Sequence, residues 1–152
     1  MGRIVVGIDQ SECSRRALEW AHEEARLRKA TLEIVYAFGA TSNWIGMGDA
    51  VGAVVSENFA EDQVADAARV VLDEEVAAVL GPDCDVDLVL RTVPLHAGEA
   101  LVEASKGADL LVVGTHGHGD IRSALLGSVS SHCVHQAWCP VVTVRDRPHA
   151  EK

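Results

Sequence analysis

Apolar positions along the chain alternate between two periods, and the alternation predicts strands and helices in turn. Ile4 to Ile8 is a short β-branched run of the type buried on both faces of a parallel sheet, and it ends at Asp9. Ser11 then offers an N-cap, and Ala17, Leu18, Ala21 and Ala25 recur on one face of a helix running to about Lys29. Leu32 to Phe38 returns as a second strand, which completes a βαβ unit with an expected right-handed crossover. Gly39 to Ser56 shows neither period. A connection of that length reads as a lid, a binding loop or a disordered stretch, with Trp44 pinning the loop to the core rather than covering a base or a partner subunit.

Glu57 to Leu80 has the pattern of a long helix, with Val64, Ala67, Ala68 and Val71 on its apolar face, and Gly81-Pro82 stops it. Val86 to Leu90 forms a third strand, placed near an edge by Asp85 and Asp87. After Pro94, a stripe of Ala97, Ala100, Leu101 and Ala104 predicts a short helix ending near Gly107, with Glu103 and Lys106 on the solvated side. Ala108 to Val113 is the fourth strand, purely apolar from Leu110 and so central. A last helix over Val129 to Ala137, carrying Val129, Cys133 and Ala137 inward, precedes the fifth strand, Val141 to Val144.

This order of elements specifies an α/β fold: a single open, parallel five-stranded sheet with strand order 3-2-1-4-5 and helices on both faces, Rossmann-like in type. One domain over residues 1–147 is expected, followed by a polar tail at 148–152. The topological switch then lies between strands one and four. It brings Asp9 and Gly114, about a hundred residues apart, to one crevice at the carboxyl ends of the strands.

Charge narrows the partners. With 23 acidic against 13 basic residues the net charge is −10, and such a field repels phosphate backbones, so nucleic acid is not an expected partner. No apolar run is long enough to span a bilayer, and Met1-Gly2-Arg3 runs straight into the first strand, so membrane association is not expected and a cytoplasmic location is. Cys13, Cys84, Cys133 and Cys139 lack C-x-x-C spacing and read as free thiols. His132, His135, Cys133 and Cys139 match no structural zinc spacing.

The stretch with the most chemistry in it is Gly114-Thr115-His116-Gly117, continuing to Gly127-Ser128 between the fourth strand and the last helix. Glycine lets the backbone approach a ligand, and a helix start offers free N–H groups and a positive dipole end to an anion. Ser128 and Ser130 add hydroxyls. The spacing is neither a P-loop nor a dinucleotide fingerprint, so on spacing alone a simple strand-to-helix loop accounts for it.

The pattern Gly114-x2-Gly117-x9-Gly127-Ser128 resembles the ATP-binding signature of the universal stress protein family. The resemblance continues into Cys139-Pro140-Val141-Val142-Thr143-Val144 and begins again at Val5-Val6-Gly7-Ile8-Asp9 with Ser11. It implies a dimeric regulatory or stress-response protein that binds ATP; at a net charge of −10 the triphosphate must be neutralised locally by backbone dipoles, Arg122 or a bound divalent cation, which argues for Mg²⁺ arriving with the nucleotide. Adenine would lie near Gly7, Ile8 and Ala37, and the ribose near Asp9 and Gly114, the end of the strand that runs through Val113. His116 and Gly117 would approach the α-phosphate, while Gly127, Ser128, Val129 and Ser130 would hold the distal phosphates. Asp9 would meet the metal through water. The resemblance also implies a homodimer paired through Val141 to Val144. Gly7 replaces the proline or other residue of some relatives, and Gln10 stands where glycine is frequent.

No carboxylate is placed to activate water beside His116 or His118, so no catalytic residue is assigned and binding without fast turnover is expected. A slow ATPase or autophosphorylating enzyme on the same fold is the alternative, with Ser128 or Ser130 as acceptor, as is a member that binds AMP or another adenine ligand. The inducing stress and the downstream protein partner are not legible in these residues.

Overall fold

The computed structural model describes residues 2–39, 61–117 and 126–146. Among them run β1 (Arg3–Ile8), α1 (Glu12–Arg28), β2 (Thr31–Ala37), α2 (Glu61–Leu80), β3 (Leu88–Val93), α3 (Ala97–Ala104), β4 (Leu110–Gly114), α4 (Ser128–Gln136) and β5 (Val141–Val144). All strand pairs are parallel, and the order is β3-β2-β1-β4-β5. The sheet order expected from the sequence is therefore the one observed. Val5 lies opposite Glu33 of β2 on one side and Leu111 of β4 on the other, which makes β1 the middle strand.

Strand alternation feeds two cores. Ile4, Val6, Ile34 and Tyr36 point to one face, where Leu18 and Ala21 of α1 and Val71 and Leu72 of α2 cover them. Val5, Val35, Leu111 and Val113 point to the other, under Leu101 and Ala104 of α3 and Cys133 of α4. A strand buried on both faces has no room for a polar residue unless it is paired. The exception is Glu33, buried in β2, whose carboxylate takes Arg3 of β1 at 2.5 Å and Arg91 of β3 at 2.7 Å. One side chain thus ties three strands together.

The helix ends follow their sequence signals. Ser11 caps α1, its hydroxyl accepting from the Ser14 N–H at 3.2 Å. Gly81, with φ of +70°, ends α2 and donates its N–H to the Ala77 carbonyl at 3.0 Å.

Several boundaries need correction. The third strand is Leu88–Val93 rather than Val86 to Leu90. The Asp87 carbonyl takes the Leu32 N–H just ahead of it, and the ladder continues until Phe38 N–H meets the Val93 carbonyl. The strand lies at the sheet edge, as its flanking aspartates suggest. The fourth strand begins at Leu110, because Ala108 is held in a turn by the Ser105 carbonyl. Ala137 is the extended cap of α4 and not its last residue. The loop carrying Trp44, residues 57–60 of the second long helix, and the 148–152 tail lie outside the described residues.

Candidate functional site

A cleft opens where the chain leaves the sheet in two directions, at the carboxyl ends of β1 and β4. Its floor and sides come from strand ends: Gly7 and Ile8 of β1, Val35 and Ala37 of β2, and Val113 and Gly114 of β4. Asp9, His116 and Gly117 follow directly on those strands and complete the rim. First-turn residues of three helices close it: Ser14 of α1, Ala97 of α3, and Val129 and Ser130 of α4. Leu101 of α3 packs beneath; a Cβ at Gly7 would fall 2.6 Å from its Cδ1.

Ten residues singled out from the sequence therefore share one wall: Gly7, Ile8, Asp9, Ala37, Val113, Gly114, His116, Gly117, Val129 and Ser130. Gly127 and Ser128 stand just outside it, as the N-cap and the exposed first residue of α4. Sequence reasoning missed Ser14, Val35, Ala97 and Leu101. Ser14 had a signal, since the third residue after an N-cap serine turns back toward the strand end that precedes the helix. His118 and Arg122 lie outside the described residues.

Asp9 serves the turn and the cleft together. Its Oδ1 accepts the Ser11 N–H at 2.9 Å, and its own N–H donates to Ser14 Oγ at 3.2 Å. Between them Gln10 is forced to a φ of +68°, the left-handed region where glycine sits without strain. Glycine, frequent at this place in the family that the sequence resembles, would take this conformation without strain.

The glycine loop is closed at its neck. The Thr115 carbonyl accepts the Gly127 N–H at 2.6 Å and the Ser130 hydroxyl at 2.9 Å, while the Gly127 carbonyl lies 3.1 Å from the same hydroxyl. A hydroxyl has one proton, and that of Ser130 goes to one of these carbonyls. With its proton committed to the loop neck, Ser130 is not the free donor that its sequence position suggests.

Among the described residues, Asp9 and His116 are the titratable side chains on the cleft, and no lysine or arginine lines it. Its attraction for an anion comes from the main chain. The first N–H groups of a helix have no intrahelical partner, and no side chain caps α3 at His96 or α4 at Gly127. The putting together of His132, His135, Cys133 and Cys139 as a metal cluster fails on orientation: both histidines are exposed and Cys133 is fully buried. Among the described residues, no three metal-ligating side chains converge.

A parallel sheet covered on both faces, with its cleft at the topological switch point, defines a doubly wound α/β protein of the Rossmann-like class. The model of the universal stress protein family matches residues 1–145, and the chain belongs to that family. A universal stress protein of Mycobacterium tuberculosis is 35% identical over 155 residues, covering 98% of this chain and 50% of that protein. The chain thus spans about half the length of the curated relatives it matches. A universal stress protein solved in complex with cAMP superposes with a TM-score of 0.70 at 27% identity, covering 96% of this chain and 98% of the other. The Archaeoglobus fulgidus universal stress protein solved with dAMP shares the fold, with a TM-score of 0.64 at 21% identity over 95% of this chain and 98% of that one.

Proposed function

We propose that this chain binds an adenine nucleotide in the cleft between β1 and β4, and that nucleotide occupancy sets the state of a regulatory stress-response protein. The observation that carries the reading is the convergence of three helix starts, two of them uncapped, on glycine-bordered strand ends. Among the described residues it is backbone N–H groups and dipoles that attract a phosphate there, the local attraction that a protein of net charge −10 requires. The relative solved with cAMP supports adenine as the base.

Within this reading the ligand is ATP carried with Mg²⁺. A single carboxylate beside the phosphates suits that ion, which keeps several waters and is held largely by phosphate oxygens. Asp9 is the residue for that place, reaching the ion through water. Because Asp9 already accepts the Ser11 N–H and no second carboxylate lines the described cleft, the site favours holding the nucleotide over hydrolysing it.

The same reading includes a homodimer in the cytoplasm. β5 is the sheet's outer strand, and Val141 to Val144 are all partly exposed. An edge of this kind is a template for a second copy of the same strand. Among the described residues no helix is long and apolar enough to cross a membrane.

Mass spectrometry of ligand released from freshly purified protein, with thermal shifts on adding Mg-ATP or AMP, tests the reading. Co-purified adenine nucleotide or a clear upward shift is expected; no nucleotide and no shift with either ligand would remove it. Prompt steady-state ATP hydrolysis that vanishes in Asp9→Ala would replace it with an enzyme.

A further inference from the structure

Among the described residues, the face of the sheet under α3 is left open at one corner. A parallel sheet is ordinarily covered on both faces. α3 is eight residues long and packs through Leu101 and Ala104 on β1 and β2. Val89 of the edge strand β3, opposite Glu33 in the register, remains 42% exposed. In place of a helix, two arginines lie over Glu33: Arg91 from β3, and Arg3, which opens β1 at the end away from the cleft.

Cations match acids here, which sets the corner apart on a protein of net charge −10. Glu33 is one carboxylate between two guanidiniums, and each guanidinium has five N–H donors, so both keep donors for a second acid. Arg3 gives one of its own to the Lys106 carbonyl at 2.7 Å, and the Lys106 ammonium stands 5.9 Å from the centre of the Trp138 ring. Glu103 and Asp109 border the row, on the Lys106 ammonium at 2.8 Å and on the Arg3 main-chain N–H at 2.7 Å. Trp138 is 68% exposed and yet fixed, since its own N–H donates to the buried Ser105 hydroxyl at 3.0 Å. Tryptophan and arginine are the side chains that carry most interface energy, and those already held in place lose less freedom on binding.

We propose that this corner docks an acidic protein segment that carries an apolar side chain, with Arg91 and Arg3 taking its carboxylates and Trp138 and Val89 its apolar group. A basic partner has acidic helix faces to choose from, such as Asp66, Asp73 and Glu74 of α2, all exposed. An acidic partner is repelled by those faces and steered to the corner that lacks their excess charge. The surface is apart from the cleft, and the proposal stands whether or not a nucleotide binds there.

Fluorescence anisotropy with a short labelled peptide of glutamates and aspartates around one leucine tests it. Two control peptides carry lysines for the acids or serine for the leucine. The wild type should bind the acidic leucine peptide more tightly than either control, and added salt should weaken that binding. Trp138→Ala should lose about tenfold in affinity and Arg91→Gln about threefold, while Arg28→Gln, on the exposed side of α1, should match the wild type. Trp138 and Arg91 are exposed, and thermal unfolding checks that the variants fold. Equal binding of the lysine peptide, no binding of the acidic one, or losses no larger in Trp138→Ala and Arg91→Gln than in Arg28→Gln would overturn the proposal. So would self-association of the wild type, read by sedimentation, that Trp138→Ala abolishes, since the corner would then belong to a second copy of the chain.

Discussion

Gly114 and Cys13 are in closest approach across the junction of β4 and α1: a Cβ at 114 would lie 2.7 Å from the Cys13 Cβ and 2.9 Å from its carbonyl carbon. Neither atom is the end of a flexible side chain. The first glycine of the signature is therefore a packing requirement of the fold, whatever it does for a ligand. Gly114→Ala should lower stability by about 1–3 kcal/mol through overpacking. Denaturant unfolding measures it, and a variant as stable as the wild type would show that α1 can move aside.

At Gln10 the conformation is at odds with the residue. A left-handed φ costs a residue with a Cβ roughly 1–2 kcal/mol, part of which glycine returns as unfolded-state entropy. Gln10→Gly should raise stability by up to about 1 kcal/mol, whereas the β-branched Gln10→Val should lower it by a similar amount or more. Thermal unfolding of the pair gives the sign directly.

Burial pushes the Cys133 thiol up to about 11 from an ordinary 9.0, with a smaller push from the neighbouring Cys139. Above pH 9 the unfolded chain releases this proton and the folded one keeps it. The contribution is thus fully present below about pH 9 and is lost as pH rises towards 11, by roughly 2–3 kcal/mol in all. Cys133→Ala should flatten the alkaline limb of a stability–pH profile. Parallel limbs for the two proteins would place the alkaline loss elsewhere.

Ser128 and Ser130 differ in what removal of their hydroxyls does. Ser130 is buried with its proton on the loop neck, so Ser130→Ala should cost about 1 kcal/mol. Ser128 is exposed, and Ser128→Ala should stay within about 0.5 kcal/mol. Any phosphoryl transfer to the chain should accordingly mark Ser128 and leave Ser130 unmodified, a difference that peptide mass spectrometry resolves.

The architecture was legible because β1, β2 and β4 are buried on both faces, and burial leaves uninterrupted apolar runs in the sequence. β3 was placed too early because it is an edge strand with Val89 and Arg91 exposed on one side. Arg91 reads as the end of a strand until Glu33, far away in the chain, is seen to hold it. The cleft was legible at the strand ends and the glycine signature, where local spacing carries the information. Leu101 and Ala97 were not, since their places on the wall depend on how α3 lies across β1 and β2, and a short apolar stripe does not encode that.

The three helix starts around the cleft have a lasting consequence for how the protein tolerates change. Their field belongs to peptide groups, so it neither titrates across the physiological range nor disappears when one side chain is exchanged. Drift of the acidic exterior can therefore proceed with the interior potential left intact, and only the unravelling of a first turn would switch it off.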